Sequence, residues 1–414
     1  MAASLGRSRV EAAVRSCEEM VVDIGIARVL THHTAPINSL DFTKDGEHLL
    51  SSGDDNRICL YSTTQGTIER MAKCDAHGTT LARFTHDPFS VIVASPIDHA
   101  VRYLSLHDNR YLRAFRAHTA AVVSLEMSPK EDILASASMD NTARLWDLRV
   151  PKCQGILSFE GGGHRPAVAF DPQGLVFAAA ISGGVIKLFD VRATDKGPFE
   201  TFNTSDLGRE CSFSSIKFSN DGTLMLLATT QGVHALVDAF SGKLVRTFSG
   251  HAVGAEGAQQ PLEACFSPDS TYVLAGAEDG AIWRWETENG NQPPAGPLRE
   301  HLAPGARAPT FFPSSCNGCI HDHVEGRMHR RAESCVCVAW PLADGTLLSG
   351  ARARVSFARA WIMTPGSSVT AIKCNPTRMM IASADTALCL WLPDLKGALR
   401  AEHTSQTSAE SGQG

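Results

Sequence analysis

Residues 118–149 read "HTAAVVSLEMSPKEDILASASMDNTARLWDLR", and residues 33–63 carry a degraded copy, "HTAPINSLDFTKDGEHLLSSGDDNRICLYST". The two stretches align without a gap at an offset of 85 residues. Tyr61 takes the place of Trp146 in this alignment. A third and weaker copy, residues 79–106, lies between the two. The chain therefore repeats one structural unit at about half of that offset.

Each repeat contains short apolar runs separated by turns that are rich in Pro, Asp, Asn and Gly. The last apolar residue before the first turn marks the units at Phe42, Phe84, Met127, Phe170, Phe218, Phe266 and Cys374. The spacings are 42, 43, 43, 48, 48 and 108 residues. A period in the low forties with three or four strands per unit is typical of WD repeats. We therefore predict an all-β fold, a seven-bladed WD-repeat β-propeller.

The N-terminal part of the chain is expected to close the ring. Residues 21–31 alternate like a strand but precede the first unit, and the last unit ends near residue 395 without an outer strand of its own. Supplying that strand from residues 21–31 would remove an exposed sheet edge. The expected organisation is an N-terminal extension over 1–20, the propeller over 21–395 and a disordered polar tail over 396–414.

Composition narrows the class of protein. The chain has 414 residues, of which 43% are apolar and 20% charged, as in soluble globular proteins. A net charge of -6 argues against direct nucleic-acid binding. We find no apolar run long enough to span a membrane and no apolar core of a secretory signal in the first twenty residues. The 12 cysteines are mostly scattered singly, which favours a reducing compartment.

The residues that define the repeat are predicted to form a structural hydrogen-bond network rather than a catalytic site. In such a unit a His, a Ser, an Asp and a Trp can bond in series, and a satisfied buried network fixes strand register. The two fullest sets are His118, Ser136, Asp140 and Trp146, and His33, Ser51, Asp55 and Tyr61. Partial sets are Asp279 with Trp285 and Asp385 with Trp391. We expect no catalytic residue, no metal site and no cofactor in the repeats.

The spacing of 108 residues leaves roughly 60 extra residues within 291–367. This segment contains six Cys and His residues of the kind that bind metal ions, Cys316, Cys319, His321, His323, Cys335 and Cys337. Cys-x-x-Cys can supply two zinc ligands, but the second half offers Cys-x-Cys, which fits no standard zinc spacing. We therefore favour a flexible insertion or a gene-model artefact over a zinc site.

Two stretches between repeats carry a more specific signal, "HDNRYLRAF" at 107–115 and "DKGPF" at 195–199. Together with "LWDLRVPKCQG" and the ending "LWLP", they resemble the WD-repeat subunit of COMPASS, the SET-domain histone methyltransferase complexes. That subunit is shared with the nuclear phosphatase and cleavage/polyadenylation machinery. The resemblance covers residues 22–290 and 367–395.

The resemblance implies a nuclear, non-enzymatic scaffold that helps a SET-domain methyltransferase act on histone H3 at transcribed genes. It further implies links to a protein phosphatase, to polyadenylation factors and to the phosphorylated tail of RNA polymerase II. Three arginines, Arg57, Arg102 and Arg144, are candidates for reading a phosphopeptide, although the sequence does not show that they converge.

The two specific stretches both follow the third strand of a unit, so we expect them to form part of a partner surface. Its residues are His107, Asp108, Asn109, Arg110, Asp195, Lys196, Gly197, Pro198 and Phe199. The alternative interpretation is that "HDN" and "DKG" are ordinary turns and that Phe199 belongs to the core.

A rival function is that of a substrate receptor of a cullin-RING ubiquitin ligase. Such receptors often carry Trp-Asp-x-Arg after the third strand of a repeat. Here "WDLR" at 146–149 fits fully and "FDVR" at 189–192 fits nearly. An enzyme is the least favoured class, because the chain has no P-loop and no nucleophile motif.

Overall fold

The computed structural model describes residues 24–159, 165–181, 184–204, 213–229, 232–249, 263–277, 280–287 and 369–393. Within these residues the chain forms antiparallel sheets, one for each of seven blades, as predicted. The only helix in this part of the chain is a short 3-10 turn, Thr194–Lys196, so none of its helices is long and apolar enough to cross a membrane.

Blades 1 to 4 have four strands each. From the inner to the outer strand, they are β2 (Ile37–Phe42), β3 (His48–Gly53), β4 (Arg57–Ser62) and β5 (Thr67–Lys73); β6 (Ala82–Phe84), β7 (Ser90–Ala94), β8 (Val101–Ser105) and β9 (Arg110–Phe115); β10 (Val122–Met127), β11 (Ile133–Ser138), β12 (Thr142–Asp147) and β13 (Cys153–Ser158); and β14 (Ala167–Phe170), β15 (Val176–Ile181), β16 (Val185–Asp190) and β17 (Glu200–Asn203).

Blades 5 to 7 complete the ring. Their strands, in the same order, are β18 (Phe213–Phe218), β19 (Leu224–Thr229), β20 (His234–Asp238) and β21 (Leu244–Phe248); β22 (Ala264–Phe266), β23 (Tyr272–Gly276) and β24 (Ile282–Glu286); and β25 (Ala371–Cys374), β26 (Ile381–Ala384), β27 (Leu388–Pro393) and β1 (Ile24–Leu30). Each of the seven apolar residues that mark the repeats is the last residue of an inner strand.

The inner strands pack against one another in a closed circle, in which β25 of blade 7 contacts β2 of blade 1. The ring is closed by the N-terminal strand, because β1 pairs antiparallel with β27 from Ile24 opposite Pro393 to Leu30 opposite Leu388. The prediction that an N-terminal strand completes the last blade is therefore confirmed. This pairing covers the edge of β27 that blade 7 would otherwise expose.

The alternation of side chains explains why these segments form blades. The middle strands are buried on both faces, as in β7, while the outer strand β5 alternates between exposed and partly buried residues. The core lies between neighbouring blades, and Phe115 of blade 2 packs on Trp146 of blade 3 with ring centroids 5.5 Å apart. Asn56 and Asn141 adopt positive φ angles (57° and 60°) in the turns between the second and third strands, a conformation that Asn tolerates.

Several predictions fall outside the described residues. These are the extension over 1–20, the insertion over 291–367 with its Cys and His residues, the tail over 396–414, and Asp279. Within the described residues, no three His, Cys, Asp or Glu side chains lie close enough together to hold a metal ion.

Candidate functional site

The turns of an antiparallel blade alternate between its two ends. We call the end that carries the turns between the second and third strands the network face, which includes His33, Asp55, His118 and Asp140. The opposite end carries the turns between the third and fourth strands, and we call it the loop face. It includes the candidate residues 107–110 and 195–199. The network residues and the two candidate segments therefore lie at opposite ends of the blades.

In blade 3 the structure brings the four network residues together. His118 Nδ1 lies 2.9 Å from Asp140 Oδ2, and His118 Nε2 lies 2.8 Å from Ser136 Oγ. Trp146 Nε1 donates to the same Ser136 Oγ at 2.9 Å. Because the indole N–H can only donate, Ser136 accepts from Trp146 and its own hydrogen is free to bond to His118 Nε2. His118 Nδ1–H then donates to Asp140, so every member is satisfied.

The pKa shifts in blade 3 agree with His118 as the donor and Asp140 as the acceptor. Burial lowers the pKa of His118, although its hydrogen bond to Asp140 opposes that shift, so the ring is held in the neutral form. Burial alone would raise the pKa of Asp140, but hydrogen bonds from Thr142, His118 and the Thr119 amide lower it to about 2. A neutral His beside an ionised Asp that is fully engaged by the fold has a structural role.

Blade 1 departs from the predicted series at its last member. His33 Nε2 lies 2.7 Å from Ser51 Oγ, and His33 Nδ1 lies 3.0 Å from Asp55 Oδ1. The Tyr61 hydroxyl is buried and makes no hydrogen bond of ordinary length and angle, although Ser51 and Cys59 lie close enough to influence its pKa. The phenol carries its polar atom at the tip of the ring, whereas the indole carries its N–H on the side that faces the serine. Burial accordingly raises the pKa of Tyr61. Membership of Tyr61 in the blade 1 network therefore stays a prediction.

Blade 7 was predicted to carry only a partial set, Asp385 with Trp391. Trp391 Nε1 donates to Ser383 Oγ at 2.8 Å, which repeats the Trp146–Ser136 contact. The sequence signal was the Ser of "IASA" in the second strand. Asp385 lies in the following turn, and its Oδ1 is buried without a hydrogen-bond partner.

The first candidate segment, 107–110, is an exposed turn between β8 and β9. Asn109 has a positive φ of 52°, which suits a tight turn. A hydrogen bond from Ser105 lowers the pKa of Asp108, which therefore stays ionised. The backbone oxygen of His107 accepts a hydrogen bond from Arg70 of blade 1 at 3.2 Å, so this turn is fixed to the neighbouring blade.

The second candidate segment, 195–199, overlaps the 3-10 turn and connects it to β17. It approaches Gly155 of β13 closely, since a Cβ on that glycine would lie 3.1 Å from the Thr194 hydroxyl. Gly197 has a φ of 82°, which glycine adopts without strain. The absence of a side chain at Gly155 thus lets the loop of blade 4 lie against the outer strand of blade 3.

Phe199 is the most exposed apolar residue of this loop, with 58% of its surface accessible. The alternative interpretation that Phe199 belongs to the core was therefore wrong. The ring forms one wall of a shallow groove together with Leu175, Val176, Asp190 and Arg192. Leu175 is itself 46% exposed and was missed by sequence reasoning, because an isolated Leu in a turn carries no recognisable pattern. An exposed aromatic next to an exposed aliphatic side chain is typical of an interaction site.

The structure does not bring the two candidate segments together. Residues 107–110 belong to blade 2 and residues 195–199 to blade 4, and blade 3 packs between these two blades. Both segments lie on the loop face, so a partner would have to extend across blade 3 to contact both.

The three arginines proposed for phosphopeptide reading are each engaged within their own surroundings. Arg102 is buried and donates to Asp98 Oδ1 at 2.8 Å. Arg57 donates to the His32 backbone oxygen at 3.0 Å, and Arg144 donates to Thr142 Oγ1 at 3.3 Å. Arg102 in particular is neutralised by a carboxylate and covered by its blade. These contacts give no indication of a shared phosphate site.

A repeating set of arginines on the outer strands was not foreseen. Each donates to a backbone oxygen at the end of the third strand, or in the turn after it, in the next blade. The pairs are Arg28 to Gln65 at 2.8 Å, Arg70 to His107 at 3.2 Å, Arg113 to Leu148 at 2.6 Å and Arg246 to Glu286 at 2.8 Å. We call them the rim arginines. Blade 3 has Gly155 at the matching position, opposite Leu145.

The inner strands carry buried charges that compensate one another. Arg83 of blade 2 lies 3.6 Å from Glu126 of blade 3 and 3.8 Å from Glu263 at the start of blade 6. Lys373 of blade 7 lies 3.2 Å from Asp41 of blade 1. Burial opposes the charge on Arg83, but the surrounding acidic groups raise its pKa. Sequence reasoning missed this cluster because its members are far apart along the chain.

Comparison with known proteins agrees with the fold. The family model described as "WD domain, G-beta repeat" matches residues 26–62, 109–147 and 242–286. The chain is 42% identical to WD repeat-containing protein 82 of Drosophila melanogaster, over 67% of this chain and 86% of the relative. It is 37% identical to Set1 complex component swd2 of Schizosaccharomyces pombe, over 58% and 67%. It is 33% identical to COMPASS component SWD2 of Saccharomyces cerevisiae, over 60% and 76%.

Proposed function

Because the chain belongs to the WD-repeat family that includes WD repeat-containing protein 82 and COMPASS component SWD2, we propose that it is a non-enzymatic scaffold of a nuclear chromatin complex. In this role it supports histone H3 lysine methylation at transcribed genes and connects it with RNA polymerase II transcription and termination. The observation that carries the proposal is the identity of 37% and 33% to two yeast relatives that are named as a Set1 complex component and a COMPASS component.

The proposed partners are a SET-domain histone methyltransferase and other COMPASS subunits. Nuclear phosphatase and polyadenylation factors form a second group, and the phosphorylated tail of RNA polymerase II a third. The names of the two yeast relatives, a Set1 complex component and a COMPASS component, support the first group. The assignment as a scaffold is supported by blade 3, where His118 and Asp140 are engaged in a closed structural network.

Within this proposal, the partner surface is the groove beside Phe199 with the adjoining residues 195–198. Both apolar side chains of this groove are exposed, Phe199 with 58% of its surface and Leu175 with 46%. Large exposed aromatic side chains supply contact area at low entropic cost when a partner covers them. The turn at 107–110 is a separate and more polar contact on the same face.

The assignment is tested by tagging the full-length protein in its native cells, purifying it from nuclear extract and identifying the co-purifying subunits by mass spectrometry. We expect a SET-domain methyltransferase core, or phosphatase and polyadenylation factors. Recovery of a cullin-RING ubiquitin-ligase adaptor without these subunits would contradict the proposal and favour the rival function.

The two segments of the loop face are tested by separate charge reversals, Lys196→Glu and Arg110→Glu. Both side chains are exposed, so neither change should alter the melting temperature by more than about 2 °C. We expect Lys196→Glu to reduce recovery of the partner complex more than Arg110→Glu, because Lys196 adjoins the apolar groove. Unchanged recovery with both folded variants would contradict the proposed surface.

A further inference from the structure

Two cysteines meet where blade 6 contacts blade 7. Cys265 lies in the inner strand β22 and Cys374 is the last residue of the inner strand β25. Their sulfur atoms are 3.6 Å apart, although the residues are separated by 109 positions along the chain. Both are free thiols, and neither takes part in the hydrogen-bond network or the loop face.

The surroundings of this pair favour ionisation of one sulfur. A hydrogen bond donated by the Cys374 thiol lowers the pKa of Cys265, and the nearby ammonium groups of Lys217 and Lys373 act in the same direction. Burial and Glu263 oppose the shift. The pKa of Cys374 is raised well above its usual value because it keeps its proton to make that hydrogen bond. Thiolate, rather than thiol, is the form that reacts with oxidants.

We propose that Cys265 and Cys374 form a redox modification site at which a peroxide converts the two thiols into a disulfide between blades 6 and 7. The Cys265 thiolate attacks one peroxide oxygen, the O–O bond breaks, and a sulfenic acid forms while the leaving hydroxide takes up a proton to become water. The Cys374 sulfur then attacks the Cys265 sulfur, the S–O bond breaks, and the departing hydroxide leaves as water with the Cys374 proton. Two thiols are oxidised and one peroxide is reduced to two waters.

The sulfur atoms are already near the distance that the second step requires. The two sulfurs need to approach by about 1.6 Å to reach the length of a disulfide bond. Cys374 is only partly buried, so the pair is not sealed from a small oxidant. Both cysteines sit on neighbouring inner strands that already pack together, so no blade has to move as a unit.

The disulfide would link blades 6 and 7, the two neighbouring blades whose connecting segment contains the most residues. Blade 6 is described to Thr287 and blade 7 begins again at Val369, whereas the described strands β5 and β6 of blades 1 and 2 are joined by a short turn. A cross-link that closes a long loop restricts the unfolded chain strongly. In a reducing compartment the pair rests as two thiols, so the disulfide is a reversible, oxidant-dependent state.

Other buried cysteines provide internal controls. Burial raises the pKa of Cys59 to about 11 and that of Cys389 to about 12. These two thiols stay protonated at neutral pH and should resist the same oxidant.

The test uses the purified full-length protein, reduced and then treated with hydrogen peroxide, followed by alkylation, digestion and mass spectrometry. We expect a cross-linked peptide that joins Cys265 to Cys374, while Cys59 and Cys389 remain alkylated. The melting temperature should rise by about 5 °C and return to its starting value with dithiothreitol. Cys374→Ser should abolish this rise and leave Cys265 as a sulfenic acid that reacts with dimedone.

Three outcomes would overturn the proposal. The first is the absence of the cross-linked peptide when peroxide is in excess. The second is a disulfide from either cysteine to one of the residues 316–337 instead. The third is a rise in melting temperature that persists in Cys374→Ser. Cys374→Ala serves as a second variant, so that a folding defect specific to serine does not decide the result.

Discussion

At the scale of single residues, Ser136 is the centre of the blade 3 network because two buried groups depend on its hydroxyl. It accepts from Trp146 Nε1 at 2.9 Å and lies 2.8 Å from His118 Nε2. Ser51 of blade 1 lies 2.7 Å from His33 Nε2, and the Tyr61 hydroxyl makes no hydrogen bond of ordinary length to it. We therefore expect loss of this serine hydroxyl to lower the free energy of unfolding more in blade 3 than in blade 1.

The first prediction follows from that difference. Ser136→Ala leaves two buried polar groups unpaired and should lower the free energy of unfolding by about 2 kcal/mol, whereas Ser51→Ala leaves one and should cost about 1 kcal/mol. Chemical denaturation of the two variants and the wild type measures both values. Equal losses would contradict the assignment of Ser136 as the shared acceptor.

Tyr61→Phe tests whether the Tyr61 hydroxyl belongs to the blade 1 network. Removing a hydroxyl that is buried without a partner should leave the free energy of unfolding within about 0.5 kcal/mol of wild type, or raise it. A loss of more than about 1 kcal/mol in chemical denaturation would mean that the hydroxyl bonds after all.

The pKa of Asp140 predicts a pH dependence. Its value is about 2 in the folded protein against the 3.8 that is ordinary for an aspartate side chain, so the folded state favours the ionised form. The stabilisation is complete above pH 3.8 and is lost as the pH falls toward 2. The difference in free energy of unfolding between wild type and Asp140→Asn should shrink over that range. A difference that stays constant across those pH values would show that the Asp140 charge does not contribute.

At the scale of elements, the outer strands differ in how they hold the next blade. Rim arginines connect four outer strands to the following blade through backbone oxygens. Blade 3 has Gly155 in the matching position, and there the 3-10 turn of blade 4 lies against the strand. The loop that carries "DKGPF" thus approaches the outer strand of blade 3 at the position that rim arginines hold in other blades.

Replacing rim arginines with methionine keeps most of the apolar stem and removes the donor. We expect Arg70→Met and Arg113→Met to cost about 0.5 kcal/mol each, and the double variant about 1 kcal/mol, since these hydrogen bonds are partly exposed. Arg116→Met, at an exposed position just after β9, is the control and should have no measurable effect on urea denaturation. Equal effects of Arg116→Met and Arg70→Met would argue against the rim contacts.

The strand pattern was predictable because blades are local structures. Each of the seven apolar marker residues is the last residue of an inner strand. These positions could be predicted because the strands and turns of one blade are formed by residues that are close together in the chain. The bonding of the Tyr61 hydroxyl depends on where the polar atom sits on the ring, which the repeat pattern does not encode. The rim arginines and the Cys265–Cys374 contact bring together residues 35 to 109 positions apart, and no local pattern encodes such contacts.

At the scale of the whole molecule, the ring depends on the pairing of the N-terminal strand with the last blade. β1 pairs with β27 along its length, with one irregularity between Ile26 and Arg28. Removing residues 1–31 would expose the edge of β27 and take away the Arg28 contact to blade 1. We expect this truncation to aggregate or to lose cooperative thermal unfolding, whereas removal of residues 1–20 should preserve both. Size-exclusion chromatography and calorimetry distinguish these results.

We propose that the partners of this scaffold contact the loop face, away from the structural network. The measurement that tests this claim most directly compares full-length tagged wild type, Phe199→Asp and Ile97→Asp in purifications from nuclear extract. Ile97 is a matched control, because it is 65% exposed and lies in a turn on the network face. The quantity measured is the amount of SET-domain methyltransferase recovered per molecule of tagged protein. We predict a loss of about 10-fold or more with Phe199→Asp and none with Ile97→Asp. Equal recovery from all three proteins, or a loss confined to Ile97→Asp, would contradict the account.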